Sequence, residues 1–142
     1  MHYFISPSII IVLFSILVST QNSMPLQSLE NPLADCPSSP NCIRTFMTFT
    51  ADSAVVLDAA DEALRILSAE SIQKNEATKE IHAVFKIPVF GWRDDLNIAV
   101  KQDGLNTHLF IRSASRVGYY DLGVNKRRVN KFFKHFNKII SY

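Results

Sequence analysis

Between residues 53 and 69, apolar side chains recur at helical spacing. Val56, Leu57, Ala60, Leu64 and Leu67 fall on one stripe, and Asp58, Asp61, Glu62 and Arg65 fall outside it. The pattern predicts an amphipathic helix packed on a core, with Asp52 and Ser53 as capping residues at its start. The period then changes to two. Ile81, Ala83 and Phe85 alternate with His82, Val84 and Lys86, and Leu96, Ile98 and Val100 alternate along 95–101. Each stretch predicts a strand with one covered face. Asp103-Gly104 is a hairpin signal, and the returning strand is 106–113, centred on Leu109, Phe110 and Ile111. Residues 43–50, rich in Thr and Phe, read as a further strand, and 70–76 as a short edge strand. Residues 88–95, with Pro88 and Gly91, read as a loop or bulge between strands. Helical spacing returns from Asn125, a good N-cap type. Val129, Phe132, Phe133, Phe136, Ile139 and Ile140 form its apolar stripe, and Arg127, Lys131, Lys134 and Lys138 lie opposite. The order is strand, helix, two to four antiparallel strands, helix. That order predicts an α+β fold: an antiparallel sheet of four to five strands with both helices packed on one face.

The amino end follows a different pattern. Residues 9–18 (I-I-I-V-L-F-S-I-L-V) are an apolar run of signal-peptide length, followed by Ser19, Thr20 and polar Gln21 and Asn22. The run is shorter than the ~20 residues of an ordinary membrane span. Residues 1–20 therefore read as a cleaved export signal, with an uncleaved anchor or a buried helix as the alternatives. Residues 21–35, with Pro25, Pro32 and no periodicity, read as a linker. Residues 36–142 read as a single domain, expected in the periplasm or outside the cell. A net charge of +2 is too small to imply nucleic-acid binding by itself.

The two cysteines, Cys36 and Cys42, flank P-S-S-P-N. Turn-forming Pro37, Pro40 and Asn41 let the chain double back, so a structural disulfide is expected in an exported chain. A redox pair or a metal site are the alternatives. The C-x-x-C spacing of the first and further ligands for the second are both missing, and no metal is expected.

Candidate chemistry gathers at 111–128, I-R-S-A-S-R-V-G-Y-Y-D-L-G-V-N-K-R-R. A helix amino end prefers negative charge, yet this one opens Lys126-Arg127-Arg128. Arg128 borders the apolar stripe and can turn toward the preceding loop, whereas Arg127 points to solvent. A counter-charge is therefore required. One source is an anionic ligand held by Arg112, Ser113, Ser115, Arg116, Asp121, Asn125 and Arg128 with the backbone N–H groups of the helix start. The other is internal, with Asp94, Asp95 and Asp121 pairing Arg112, Arg116 and Arg128 in a structural or interaction module. A catalytic reading would use Asp121 or Asp95 with an arginine clamp in a hydrolase or transferase. A Ser113 or Ser115 nucleophile with His108 or His82 lacks any G-x-S-x-G setting. Neighbouring Asp94 and Asp95 face opposite ways on a strand, so they do not act as a pair. Tyr119 and Tyr120 read as loop packing or as the lining of a pocket. The basic back of the last helix reads as a solvated face, because its apolar face is needed in the core. The expected function is non-catalytic binding of an anionic small molecule, lipid headgroup or envelope component. No catalytic residue, cofactor or nucleic acid is expected, and membrane contact is expected only through an uncleaved amino-terminal segment.

Three motifs carry a resemblance: C-P-S-S-P-N-C at 36–42, F-G-W-R-D-D at 90–95, and R-S-A-S-R-V-G-Y-Y-D-L-G-V-N-K-R-R-V at 112–129. Together they resemble domain of unknown function 1499, an uncharacterised family of bacterial and plant plastid proteins. The resemblance covers about 33–140 and implies no activity. It implies that Arg112, Ser113, Ser115, Arg116, Gly118, Asp121, Gly123, Asn125 and Arg128 belong to a signature. The chain departs from the pattern at Cys42-Ile43-Arg44.

Overall fold

The structure is a computed structural model that describes residues 29–141. The expected export signal or anchor over 1–20 and the first part of the linker lie outside those residues. The elements follow in the order β1 (Cys42–Phe49), α1 (Ser53–Ile66), β2 (Ser71–Asn75), β3 (Glu80–Lys86), β4 (Arg93–Asp103), β5 (Asn106–Ser115) and α2 (Val124–Ile140). One antiparallel sheet runs β1-β5-β4-β3-β2, with β1 and β2 at its edges. The expected fold class holds, with five strands. Asp52 caps α1 by accepting from the Ala54 N–H at 2.7 Å. The β4–β5 hairpin closes at the Asp103–Asn106 pair around Gly104, whose φ of +56° suits a residue without a Cβ.

Period-two alternation sends Ile81, Ala83, Phe85, Leu96, Ile98, Leu109 and Ile111 to the helix side. There they bury against Leu57 and Leu64 of α1 and Val129, Phe132 and Phe136 of α2. Each such large side chain contributes about 1.5–3 kcal/mol by leaving water. The opposite, outer face carries one polar residue per strand in a single register row: Gln73, His82, Asn97, Arg112 and Arg44. Phe110, expected simply at the strand centre, is buried on this outer face beside Phe46 and Lys101.

Residues 29–35, read as linker, lie across that outer face. The Glu30 carbonyl accepts from Lys101 Nζ, the Asn31 carbonyl accepts from Arg44 Nη2 at 3.0 Å, and Asp35 pairs with Arg44 at 2.7 Å. A Cys36–Cys42 disulfide follows, as expected, with a Cα–Cα distance of 5.7 Å. Disulfides persist in oxidising compartments, which fits an exported domain. Among the described residues no helix is long and apolar enough to cross a membrane.

Candidate functional site

The helix start of α2 is built differently from the expected Asn125 cap. Gly123 occupies the N-cap position in a left-handed conformation, φ 73°, and supplies no side-chain cap. Asp121 caps the helix from two residues upstream. Its Oδ1 accepts the Gly123 N–H and its Oδ2 the Asn125 N–H, both at 2.8 Å. A carboxylate thus stands where the helix dipole is most positive. Burial pushes the Asp121 carboxyl up, but the N–H groups of Asn125 and Gly123 and the Asn125 amide outweigh it and hold it below its ordinary value. Arg127 turns back to the Leu122 carbonyl at 2.7 Å and makes no ion pair among the described residues.

Asn125 is instead a buried bridge inside the first turn. Its Oδ1 accepts from Ser113 Oγ and from Arg128 Nη1, the latter at 2.7 Å. Its Nδ2 lies 3.0 Å from the Asn41 carbonyl, 2.9 Å from Ser115 Oγ and 2.8 Å from Asp121 Oδ2. Asn41 belongs to the disulfide loop, and its own Nδ2 donates to the Gly118 carbonyl. The disulfide loop therefore clamps the β5–α2 loop.

Arg128 donates to Asp94 Oδ2 at 2.7 Å, and its guanidinium carbon lies 4.7 Å from the centre of the Phe85 ring. Both partners are almost fully buried, with side-chain exposures of 9% and 3%. Asp95 points the other way, as strand alternation requires. It receives Arg116 Nε at 2.8 Å and Nη2 at 2.7 Å in a two-pronged contact, and its Oδ1 lies 2.8 Å from His82 Nε2. The Arg116 guanidinium holds the Asp95 carboxyl below its ordinary value; His82 adds to this, while partial burial opposes it.

The seven residues expected to form one ligand site are thus divided between two faces. Ser113, Ser115, Asp121, Asn125 and Arg128 form a closed network on the helix side. Arg116 and Arg112 lie on the other side. Of the three aspartates expected as internal partners, Asp94 and Asp95 pair with Arg128 and Arg116, and Asp121 caps the helix and pairs with no arginine among the described residues.

Arg112 stands apart. Its Nε is buried without a hydrogen-bond partner, and it makes no ion pair among the described residues. It lines a cleft of about 590 Å³ on the outer face, with Pro32 and Leu33 as one wall and His82, Asn97 and Gln73 along the floor. Glu80 is a carboxylate on the same lining and accepts from Thr78 Oγ1 at 2.9 Å. Sequence reasoning missed Gln73, His82 and Asn97 as companions of Arg112. The alternation placed His82 and Asn97 off the core and left Gln73 in a short edge strand, and only the strand order aligns the three with Arg112 in one row.

No curated protein matches the chain. Ara h 8.0201 is similar over 71% of this chain and 98% of its own, with 9% identity and a TM-score of 0.49. A protein of Thermus thermophilus is similar over 70% and 96%, with 13% identity and a TM-score of 0.41. A START superfamily protein from Mycobacterium smegmatis is similar over 70% and 93%, with 9% identity and a TM-score of 0.38. The sequence profile described as Protein of unknown function (DUF1499) matches residues 32–136, most of the chain, and the chain belongs to that family.

Proposed function

We propose that the protein is an exported, non-catalytic domain that binds a small anionic molecule in the outer-face cleft, with Arg112 as the anion contact. The observation that carries this reading is that Arg112 lines the cleft, its Nε buried, with no hydrogen-bond or ion-pair partner among the described residues. A guanidinium without an internal carboxylate partner forms charge-assisted hydrogen bonds with an incoming carboxylate, sulfate or phosphate through the nitrogens that face the cleft. The remainder of the arginine-rich stretch is a poorer host. Asp121 occupies the helix start, and Asp94 and Asp95 occupy Arg128 and Arg116. A hydrolase or transferase reading has weak support, since Asp121 and Asp95 both have lowered pKa values and are poor proton acceptors near neutrality.

Titration calorimetry with inorganic phosphate and with sulfate tests the proposal. Arg112→Gln should abolish binding and leave the thermal unfolding midpoint nearly unchanged. Arg128→Gln should lower stability by about 3–5 kcal/mol, because Asp94 is left buried and unpaired. It should keep anion binding in the fraction that remains folded. Binding lost in a folded Arg128→Gln and kept in Arg112→Gln would return the site to the start of α2. An anion that binds neither form, with both variants merely destabilised, would leave a structural module.

A further inference from the structure

The loop joining β3 to β4 exposes Val89, Phe90 and Trp92, and the loop joining β5 to α2 exposes Val117, Tyr120 and Leu122. The two loops meet at one end of the sheet, where Phe90, Trp92, Val117, Tyr120 and Leu122 line a small, mainly apolar notch of about 110 Å³. Val89 is 83% exposed and Leu122 is 85% exposed, so neither belongs to the core. Leu122 also holds a left-handed backbone, φ 53°, which is unfavourable for a residue with a Cβ. An apolar side chain kept on a strained backbone, facing water, has no packing role that explains it. Phe90 and Trp92 stack at 4.6 Å, so the tip is a shaped aromatic surface and not a frayed loop.

The charges around this tip are one-sided. Arg93 is paired with Glu70, Arg116 with Asp95, and Asp121 is hydrogen-bonded to the helix start. What remains exposed and without a carboxylate partner among the described residues is Lys86, Lys126 and Arg127.

We propose that this end of the molecule docks on an anionic phospholipid bilayer, with the Trp92, Phe90 and Leu122 side chains entering the headgroup level. Tryptophan and tyrosine favour that depth because each has an apolar ring and a polar tip. Lys86, Lys126 and Arg127 match the negative headgroups around them. The apolar groups project from two loops, with Lys86 just before the first loop and Lys126 and Arg127 just after the second. The surface is separate from the Arg112 cleft and does not rest on anion binding there.

Trp92 is the only tryptophan of the chain and therefore a built-in reporter. The full chain is mixed with vesicles of phosphatidylglycerol and phosphatidylcholine, and with vesicles of phosphatidylcholine alone. The phosphatidylglycerol vesicles should shift Trp92 emission to the blue, and brominated acyl chains should quench it. Phe90→Ser with Leu122→Ser should weaken partitioning by about tenfold or more, with an unchanged circular dichroism spectrum. Lys126→Gln with Arg127→Gln should remove the preference for phosphatidylglycerol. The proposal is overturned if the chain sediments with vesicles while Trp92 stays unquenched, since another segment then makes the contact. It is equally overturned if sedimentation velocity shows self-association that depends on Phe90 and Leu122 and no vesicle effect, since a second copy then covers the tip.

Discussion

Asp121 shows how one side chain settles a local conflict. The first turn of α2 carries Lys126, Arg127 and Arg128 and no acid, so the helix dipole and the side chains add charge of the same sign. The Asp121 carboxylate offsets both by accepting two backbone N–H groups. Its folded-state pKa lies below the unfolded one, so its stabilisation is present above the ordinary carboxylate value and is lost as pH falls through the lowered value. Asp95 acts in the same direction through Arg116. Asp121→Asn should therefore lower stability by about 1 kcal/mol near neutral pH and by clearly less in strong acid. Thermal unfolding of both proteins across that range checks this, and an equal loss at every pH would contradict it. The complementary charges were legible in the sequence as Asp94, Asp95 and Asp121 among Arg112, Arg116 and Arg128. Their pairing was not, because it depends on which side of the sheet each residue faces and how far the chain must fold back to bring Asp94 to Arg128.

The elements themselves were the most legible part. The helical stripe beginning at Val56 and the alternation around Ile81 and Ile98 are dictated by burial, and burial leaves its period in the sequence. The boundaries moved where loop geometry intervened: β4 starts at Arg93, and α2 starts one residue before Asn125. The role of Asn125 changed accordingly, since a cap type placed inside the first turn becomes a buried donor and acceptor. The disulfide loop acquires its meaning only at this scale. The Asn41 carbonyl accepts from both the Ser115 N–H and Asn125 Nδ2, so the loop holds the end of β5 and the start of α2 together. Cys36→Ser with Cys42→Ser should cost about 2 kcal/mol of stability, as expected for so short a loop. It should also speed hydrogen exchange at Ser115 and Asn125 far more than in α1. Uniform acceleration across all elements would show that the loop does not clamp that junction.

At the scale of the whole molecule, the sheet separates two kinds of arginine. On the helix side Arg128 is sealed into the core edge by Asp94 and Asn125 and serves the fold. On the outer side Arg112 stands in a polar row that crosses all five strands and opens to a cleft. That row joins residues far apart in the sequence and exists only through the order β1-β5-β4-β3-β2. No periodicity along the chain could have displayed it. The most direct measurement is a phosphate or sulfate titration followed through the arginine Nε–H resonances of the isotope-labelled protein. A saturable shift is predicted at Arg112, with Arg128 and Arg116 unmoved because their aspartate partners stay in place. A saturable shift at Arg128 or Arg116 while Arg112 stays still would contradict the assignment of the outer-face cleft as the anion site.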